Sequence, residues 1–189
     1  MAAAESFLRE RPYRELTVDE VMRRTDLSRP SFYVYFRDRH HLVLRVVEHI
    51  GSELFSISDQ WYGEEGADGA TRAAHALAGV VAAYDRHGRV MRALADAATD
   101  DPDIEQTYGR LVLAFVDATA RHIEAEIGRG RIPELDAYET AKALILMNER
   151  YLNMSFGREP MADPEVAVRT LTTIWTRTLY GGGVEVGPV

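Results

Sequence analysis

Four times along this chain a side-chain acceptor stands immediately before an amphipathic run, and each of these pairings is chemistry that starts an α-helix. Thr17-Val18-Asp19-Glu20 and Asp136-Ala137-Tyr138-Glu139 have the form of capping boxes. In such a box the cap oxygen accepts the third residue's N–H while the glutamate reaches back to the cap's own amide. Asp101-Pro102 and Asp163-Pro164 place proline at the first helical position, where its missing N–H costs nothing. Stops are equally legible: Gly128 and Gly130, Gly157, and Gly181 to Gly183 supply the backbone freedom that ends a helix. Period-2 alternation framed by hairpin turns is absent, so the chain reads as all-α.

The spacing predicts about nine helices, over residues 2–11, 17–25, 28–35, 38–61, 71–85, 88–98, 102–127, 136–156 and 164–180. From Asp101 to Gly128, residues Ile104, Tyr108, Leu111, Val112, Phe115, Thr119, Ile123 and Ile127 recur at threes and fours, which predicts one buried face. A loop runs through Gly63-Glu64-Glu65-Gly66-Ala67-Asp68-Gly69, and there is no internal repeat. Hydrophobic residues make up 46% of the 189, enough for a core. That length admits either one globule or a small domain docked on a larger one.

Charge divides the chain. Residues 1–45 hold nine arginines against seven acids, which leaves +2 on this end and −10 on the remainder of a chain whose net charge is −8. A basic end on an acidic body points to an anionic partner contacted by that end alone. With no cysteine, thiolate zinc sites, disulfides and thiol catalysis are excluded. The start MAAAESFLRERPY lacks a basic segment followed by an apolar one, and the apolar run around Ala143 to Met147 is far too short for a bilayer. A cytoplasmic protein without membrane contact is the expectation.

Within the basic end, Thr17 to Arg39 reads TVDEVMRRTDLSRPSFYVYFRDR: a capped short helix, a tight turn at Asp26-Leu27, and a second short helix opened by Ser28. Two short helices at a sharp angle form a helix-turn-helix, and the second fits the major groove of DNA. Val18, Val21, Met22, Leu27, Phe32 and Phe36 are spaced to share a small core, which leaves Arg29, Ser31, Tyr33 and Tyr35 on other faces. Arginine reaches base edges or phosphates, and serine and tyrosine hydroxyls donate to phosphate. Unpaired N–H groups near Thr17 and Asp38 add to this, although the acid at Asp38 weakens the second site for anions.

The run Leu27-Ser28-Arg29-Pro30-Ser31-Phe32-Tyr33-Val34-Tyr35-Phe36, followed by Arg39, resembles the recognition element of TetR-family repressors, approximately VSxxTxYxYFxxK. The resemblance implies DNA contacts from Thr17, Ser28, Arg29, Ser31, Tyr33, Tyr35 and Arg39, the last standing where the family usually has lysine. Met22 and Thr25 replace usual alanines and Asp26 replaces the turn glycine; aspartate tolerates left-handed backbone better than most residues, so the turn stays feasible. The family normally has a longer first helix, often behind a basic arm. The start at Met1-Ala2-Ala3-Ala4 is therefore expected to weaken DNA binding and its salt dependence.

Farther along, Leu146-Met147-Asn148-Glu149-Arg150, Ile174-Trp175 and Tyr180-Gly181, together with Ser28-Arg29-Pro30, resemble the EthR-like branch of that family, which hosts elongated apolar ligands. The resemblance implies a pocket lined by Phe115, Thr119, Asn148 and Trp175, with Leu77, Val80 and Tyr84 opposite. Positions where that branch has further aromatics are here Ala73, Val80 and Ala118, which alters the cavity. It also implies a homodimer through the last two long helices, Asp136 to Phe156 and Pro164 to Tyr180, binding a palindromic double-stranded operator. A small hydrophobic effector would release it by favouring wrongly spaced recognition helices. The expected division is a DNA-binding domain at 1–45 and a ligand-binding and dimerisation domain at 46–189, with no cofactor and no metal.

Two other classes are weighed against this. An enzyme finds no support: there is no GxSxG, HExxH or GxxxxGK[ST], and Gly128-Arg129-Gly130 ends a helix instead of following a strand. His40, His41 and His49 with Glu48 and Glu53 offer no convincing i, i+4 ligand pair and read as a solvated helix face, and Asp100, Asp101, Asp103 and Glu105 read as capping of the next helix. A helical regulator controlled by a protein partner stays open as the alternative to a small effector.

Overall fold

The capping side chains hold the helix starts in the computed structural model, which describes residues 1–63 and 68–181. Thr17 Oγ1 accepts from Glu20 N at 3.1 Å, Asp136 Oδ1 from Glu139 N at 2.9 Å and Asp163 Oδ1 from Glu165 N at 2.8 Å. Asp101 Oδ1 takes two amides, those of Asp103 and Ile104, each at 3.2 Å. The glutamates of the two expected capping boxes act otherwise. Glu20 takes Arg24 at 2.9 Å and is also bonded by Arg23, and Glu139 takes Lys142 at 3.2 Å. A charged partner three or four residues along binds a carboxylate more strongly than a neutral amide does.

Eight α-helices and one 3-10 turn result, and no strand occurs among the described residues. They are α1 (Ala2–Glu10), the turn Tyr13–Glu15, α2 (Val18–Met22), α3 (Arg29–Tyr35), α4 (Arg39–Gly63), α5 (Gly69–Ala97), α6 (Pro102–Gly128), α7 (Ala137–Phe156) and α8 (Pro164–Tyr180). The central loop residues Glu64 to Ala67 and the stop glycines Gly182 and Gly183 lie outside the described residues.

One break expected from sequence does not exist. Residues 71–85 and 88–98 belong to a single helix, α5, which continues through Asp85-Arg86-His87-Gly88. Gly88 is buried there because α7 crosses it: a Cβ at Gly88 would sit 2.5 Å from the Phe156 carbonyl oxygen. Its role is close approach of two helices, not termination. Gly130, by contrast, ends α6 with a left-handed φ of 68° and donates its N–H to Ile127 O at 2.8 Å.

In the N-terminal end, Val21 and Phe32 are buried with Phe7, Leu8 and Leu16, and Val18, Met22 and Phe36 pack at the edge. Leu27 is a correction: it is 57% exposed instead of joining that core. The turn is built without a left-handed residue, since no non-glycine among the described residues has positive φ. Thr25 supplies the missing bonds, donating to Met22 O at 3.1 Å and accepting from Leu27 N at 3.3 Å. The threonine that replaces alanine thus does the turn glycine's work, and Leu27 is carried outward.

The larger part is organised around α5, which packs on α4, α6, α7 and α8 and reaches back to α1 and the 3-10 turn. Residue 45 falls inside α4, so one continuous helix spans both parts of the chain. On α6 the apolar face is only partly sealed: Ile104, Tyr108, Thr119 and Ile123 are buried, whereas Leu111, Val112 and Phe115, which border a cavity together with Tyr108 and Thr119, are half-buried. No helix among the described residues is long and apolar enough to cross a membrane.

Candidate functional site

At one end of the molecule α3 projects a side-chain set that the fold does not use. Arg29 and Ser28 are exposed, and Tyr33, Val34 and Tyr35 are 50%, 76% and 70% exposed. Phe32 anchors the helix from below, with Tyr33 edge-on at 5.3 Å and Phe36 at 5.4 Å. Arg29 rests on Asp19 at 2.8 Å, and Ser28 and Ser31 share a hydrogen bond of 2.9 Å. Both groupings are at the surface, where water screens an ion pair and a phosphate is able to take the partner's place. Thr17 uses its oxygen as an acceptor for the cap, which leaves its hydroxyl proton to donate outward.

Arg39 differs from the other expected contacts. Its guanidinium donates to Leu16 O at 2.6 Å and Arg14 O at 3.4 Å and lies over the Tyr13 ring, so it ties the 3-10 turn to α4. Two exposed residues escaped the sequence reading. Val34 is the most exposed large hydrophobic residue of α3, an apolar group of the kind that packs on a thymine methyl in the major groove. Arg37 stands two residues past α3 and, with Arg14, enters no ion pair among the described residues, whereas Arg11, Arg23, Arg24, Arg29 and Arg45 all do. Its adjacency to the recognition helix was the available signal.

The second feature is an apolar cavity of about 90 Å³ inside the larger part. All seven residues expected there line it: Leu77, Val80 and Tyr84 from α5, Phe115 and Thr119 from α6, Asn148 from α7 and Trp175 from α8. Helical spacing explains the α5 set, since Ala73, Leu77, Val80 and Tyr84 recur at threes and fours on one face. Ala73 does stand on the wall; Ala118 does not. The sequence reading missed the α4 wall, Leu54, Ser58, Trp61 and Tyr62, because a wall of tyrosine, tryptophan and leucine has the same pattern as a core.

Polar groups on the wall are paired in a definite way. Trp175 Nε1 donates to Asn148 Oδ1 at 3.1 Å, which fixes the amide so that its NH₂ has no partner among the described residues. Tyr62 and Thr119 join hydroxyls at 3.1 Å. Tyr108 donates to Glu149 Oε1 at 2.7 Å. Burial pushes the Tyr84 phenol far up, and Glu149's charge adds to it; burial likewise raises Tyr108, with Tyr84 and Glu149 contributing. These hydroxyls stay neutral donors. Phe115 stacks on Phe55 at 4.0 Å and 15°, and Trp61 meets Trp175 edge-on at 5.4 Å. At about 90 Å³ the space is well below the roughly 300–1,000 Å³ of most ligand sites, so an elongated occupant has to displace side chains.

Between the two features lies a polar joint. His40 on α4 bonds Asp101 at 3.1 Å and faces Asp103 at 3.5 Å, and Tyr13 donates to Asp101 at 3.3 Å. Burial works to raise the Asp101 carboxyl, but the Ile104 amide, His40, the Asp103 amide and Tyr13 together hold it below its ordinary value. His40, Asp101 and Asp103 are the group among the described residues whose donor atoms approach within 4.8 Å of one another in a way a metal could use. Asp101 is also the α6 cap, so the same carboxylate closes a helix and links the two parts.

Comparisons with known proteins agree with this geometry. Residues 1–46 match the family described as bacterial regulatory proteins, tetR family, and residues 73–181 match the one described as transcriptional regulator EthR, C-terminal domain. The HTH-type transcriptional regulator EthR of Mycobacterium tuberculosis is 32% identical over 186 residues, covering 96% of this chain and 85% of the relative. That of Mycolicibacterium smegmatis is 29% identical over 183 residues, covering 96% and 84%. Among solved structures, a putative TetR-family regulator from Rhodococcus sp. superposes with a TM-score of 0.78 at 20% identity, over 94% of this chain and 95% of the other. One from Syntrophomonas wolfei gives 0.80 at 14% identity, over 98% and 95%. Both share the fold.

Proposed function

Since the chain belongs to the TetR family of transcriptional regulators, in its EthR-like branch, we propose that it is a repressor that binds a palindromic operator as a homodimer and is released by a small, largely apolar ligand. The family is one of DNA-binding regulators, and the protein is not an enzyme. In this reading residues 1–45 bind DNA in the cytoplasm. Residues 46–189 bind ligand and dimerise, and no cofactor is needed.

The observation that carries the reading is α4. Its first turn touches the end of α3, with the Phe36 and His41 rings 5.9 Å apart, and its last turns carry Leu54, Ser58, Trp61 and Tyr62 on the cavity wall. At about 1.5 Å per residue its 25 residues form a strut about 37 Å long between the two sites. A ligand that enlarges the cavity pushes on α4 and on α6, and α6 bears on the same helix through Asp101 and His40. Only a ligand that binds the displaced arrangement better shifts the population.

Dimerisation is supported by the exposed apolar side chains Tyr138, Leu146 and Met154 on α7 and Val166 and Ile174 on α8. Pairing of these helices with their twins buries them and sets two copies of α3 for half-sites about 34–36 Å apart, or a multiple. A fluorescence-anisotropy titration against duplex from the protein's own upstream region tests the reading. Saturable, salt-sensitive binding that weakens in Tyr33→Phe and Tyr35→Phe, with the fold intact, supports it. Equal affinity for a scrambled duplex at physiological salt refutes it.

A further inference from the structure

Glu149 is the feature of the cavity that plain apolar binding does not use. It is the single ionisable carboxylate among the lining residues described, and no lysine, arginine or histidine lines the wall with it. Its Oε1 accepts from two neutral donors, Tyr108 Oη at 2.7 Å and Asn153 Nδ2 at 2.6 Å. No cation pairs with it among the described residues. Asn153 is 2% exposed, and its remaining oxygen, Oδ1, is buried without a donor. The amide is oriented by Glu149, because turning it over would set one oxygen against another. The neighbourhood therefore offers acceptors in excess of donors, and the half-buried Glu149 carboxylate stands on an apolar wall with no counter-charge beside it.

A cation supplied from outside into the cavity pairs with the Glu149 carboxylate, which stands on its wall. Tyr84 and Tyr108, on the same wall, present aromatic rings, and an ammonium beside a carboxylate and phenol rings gains from charge pairing and cation–π attraction together. An anionic ligand meets the opposite situation: a like charge in a site with no basic residue to offset it. Resting on the reading of this cavity as the effector site, we infer that its ligand class is an apolar molecule bearing a protonated amine, with the cationic nitrogen seated at Glu149 and the hydrocarbon among Leu77, Val80 and Phe115. The Asn148 amide, next along α7, takes any polar group farther along the molecule. Fatty acids are excluded by the same charge.

Three probes of equal chain length separate the terms: octylamine, octanol and octanoate at neutral pH. Binding is read with the full chain from the fluorescence of Trp61 and Trp175, which both stand on the wall. A charge-assisted bond to a partly buried carboxylate makes octylammonium bind roughly 10- to 100-fold more tightly than octanol, with octanoate weakest. Glu149→Gln keeps the shape and an acceptor for Tyr108 and Asn153 and brings the amine-to-alcohol ratio close to one. Raised salt leaves the wild-type preference largely in place, whereas loose attraction to the acidic surface is screened. Octanol binding as well as or better than octylammonium, or a preference that survives Glu149→Gln, overturns the cation proposal and leaves the effector cavity standing. Failure of all three probes to alter tryptophan emission or release duplex overturns both. The wild-type ranking decides the matter even if the variant does not fold.

Discussion

Replacing Gly88 by alanine sets two well-measured effects against each other. In a helix interior, alanine is favoured over glycine by about 1 kcal/mol, so a site with free space gains stability. At Gly88 the new Cβ stands 2.5 Å from the Phe156 carbonyl oxygen, 2.7 Å from Phe156 Cβ and 2.8 Å from its carbonyl carbon. Ordinary contact begins at 3.4 Å, so α5 and α7 must separate by about 0.9 Å, and the nearest atom is backbone that has no rotamer to escape into. Overpacking of this kind costs about 1–3 kcal/mol, and backbone contact places Gly88 in the upper part of that range. Net destabilisation is then about 1–2 kcal/mol, or a fall in melting temperature of about 2–8 °C for a chain of this length. Gly109 is the control: it lies within α6 with nothing inside 4 Å of its would-be Cβ, so Gly109→Ala raises the melting temperature by about 1–4 °C. Far-UV circular dichroism melts at fixed protein concentration measure both, since a dimer's melting point depends on concentration. A Gly88→Ala protein as stable as Gly109→Ala would falsify the close crossing of α5 and α7. These two helices carry Tyr84 and Met91, and Asn148 and Glu149, on the cavity wall.

Arg37→Ala is expected to weaken binding to every duplex by a similar factor and to lower the slope of log K against log salt by about 1, the signature of one lost phosphate contact. A selective loss at one operator position instead would assign Arg37 to base readout. The pH response follows from His122, whose ring lies 4.3 Å from Trp61. Burial lowers its pKa below the ordinary 6.5, with Glu126 opposing and Arg72, Arg129 and Arg131 assisting. The fold thus prefers the neutral ring, and its stabilisation is present above pH 6.5 and lost as pH falls toward the depressed value. Melting temperature therefore declines on acidification below about pH 6.5, and His122→Phe makes that decline shallower. The same variant keeps the steeper loss below about pH 4, where Glu126 and Asp101, both held low in the fold, take up protons. An unchanged slope in His122→Phe would remove the ring from this account.

The departures of structure from sequence share a cause. The expected break between residues 85 and 88 does not exist, and nothing local to Arg86-His87-Gly88 announces that the helix continues or that Phe156 crosses there. Glu20 and Glu139 looked like capping partners, but arginine or lysine within four residues drew them away. Leu27 looked like core by spacing, and Thr25 closed the turn in a way that put it outside. Each mistake came from a local pattern that a competing contact outweighed.

The all-α class, the positions of the caps and the helix-turn-helix were settled by sequence alone, because a cap, an amphipathic period and a recognition motif are interactions among residues a few positions apart. The cavity residues were legible only through resemblance; periodicity marks an apolar face without saying whether it meets another face or an empty space. Tertiary structure alone decided the rest. His40 meets Asp101 across 61 positions of chain, Tyr108 meets Glu149 across 41, and α4 turns out to be shared by both sites. Those pairings depend on how helices cross, and the crossing is set by the packing of the whole core, which no short stretch of the chain encodes.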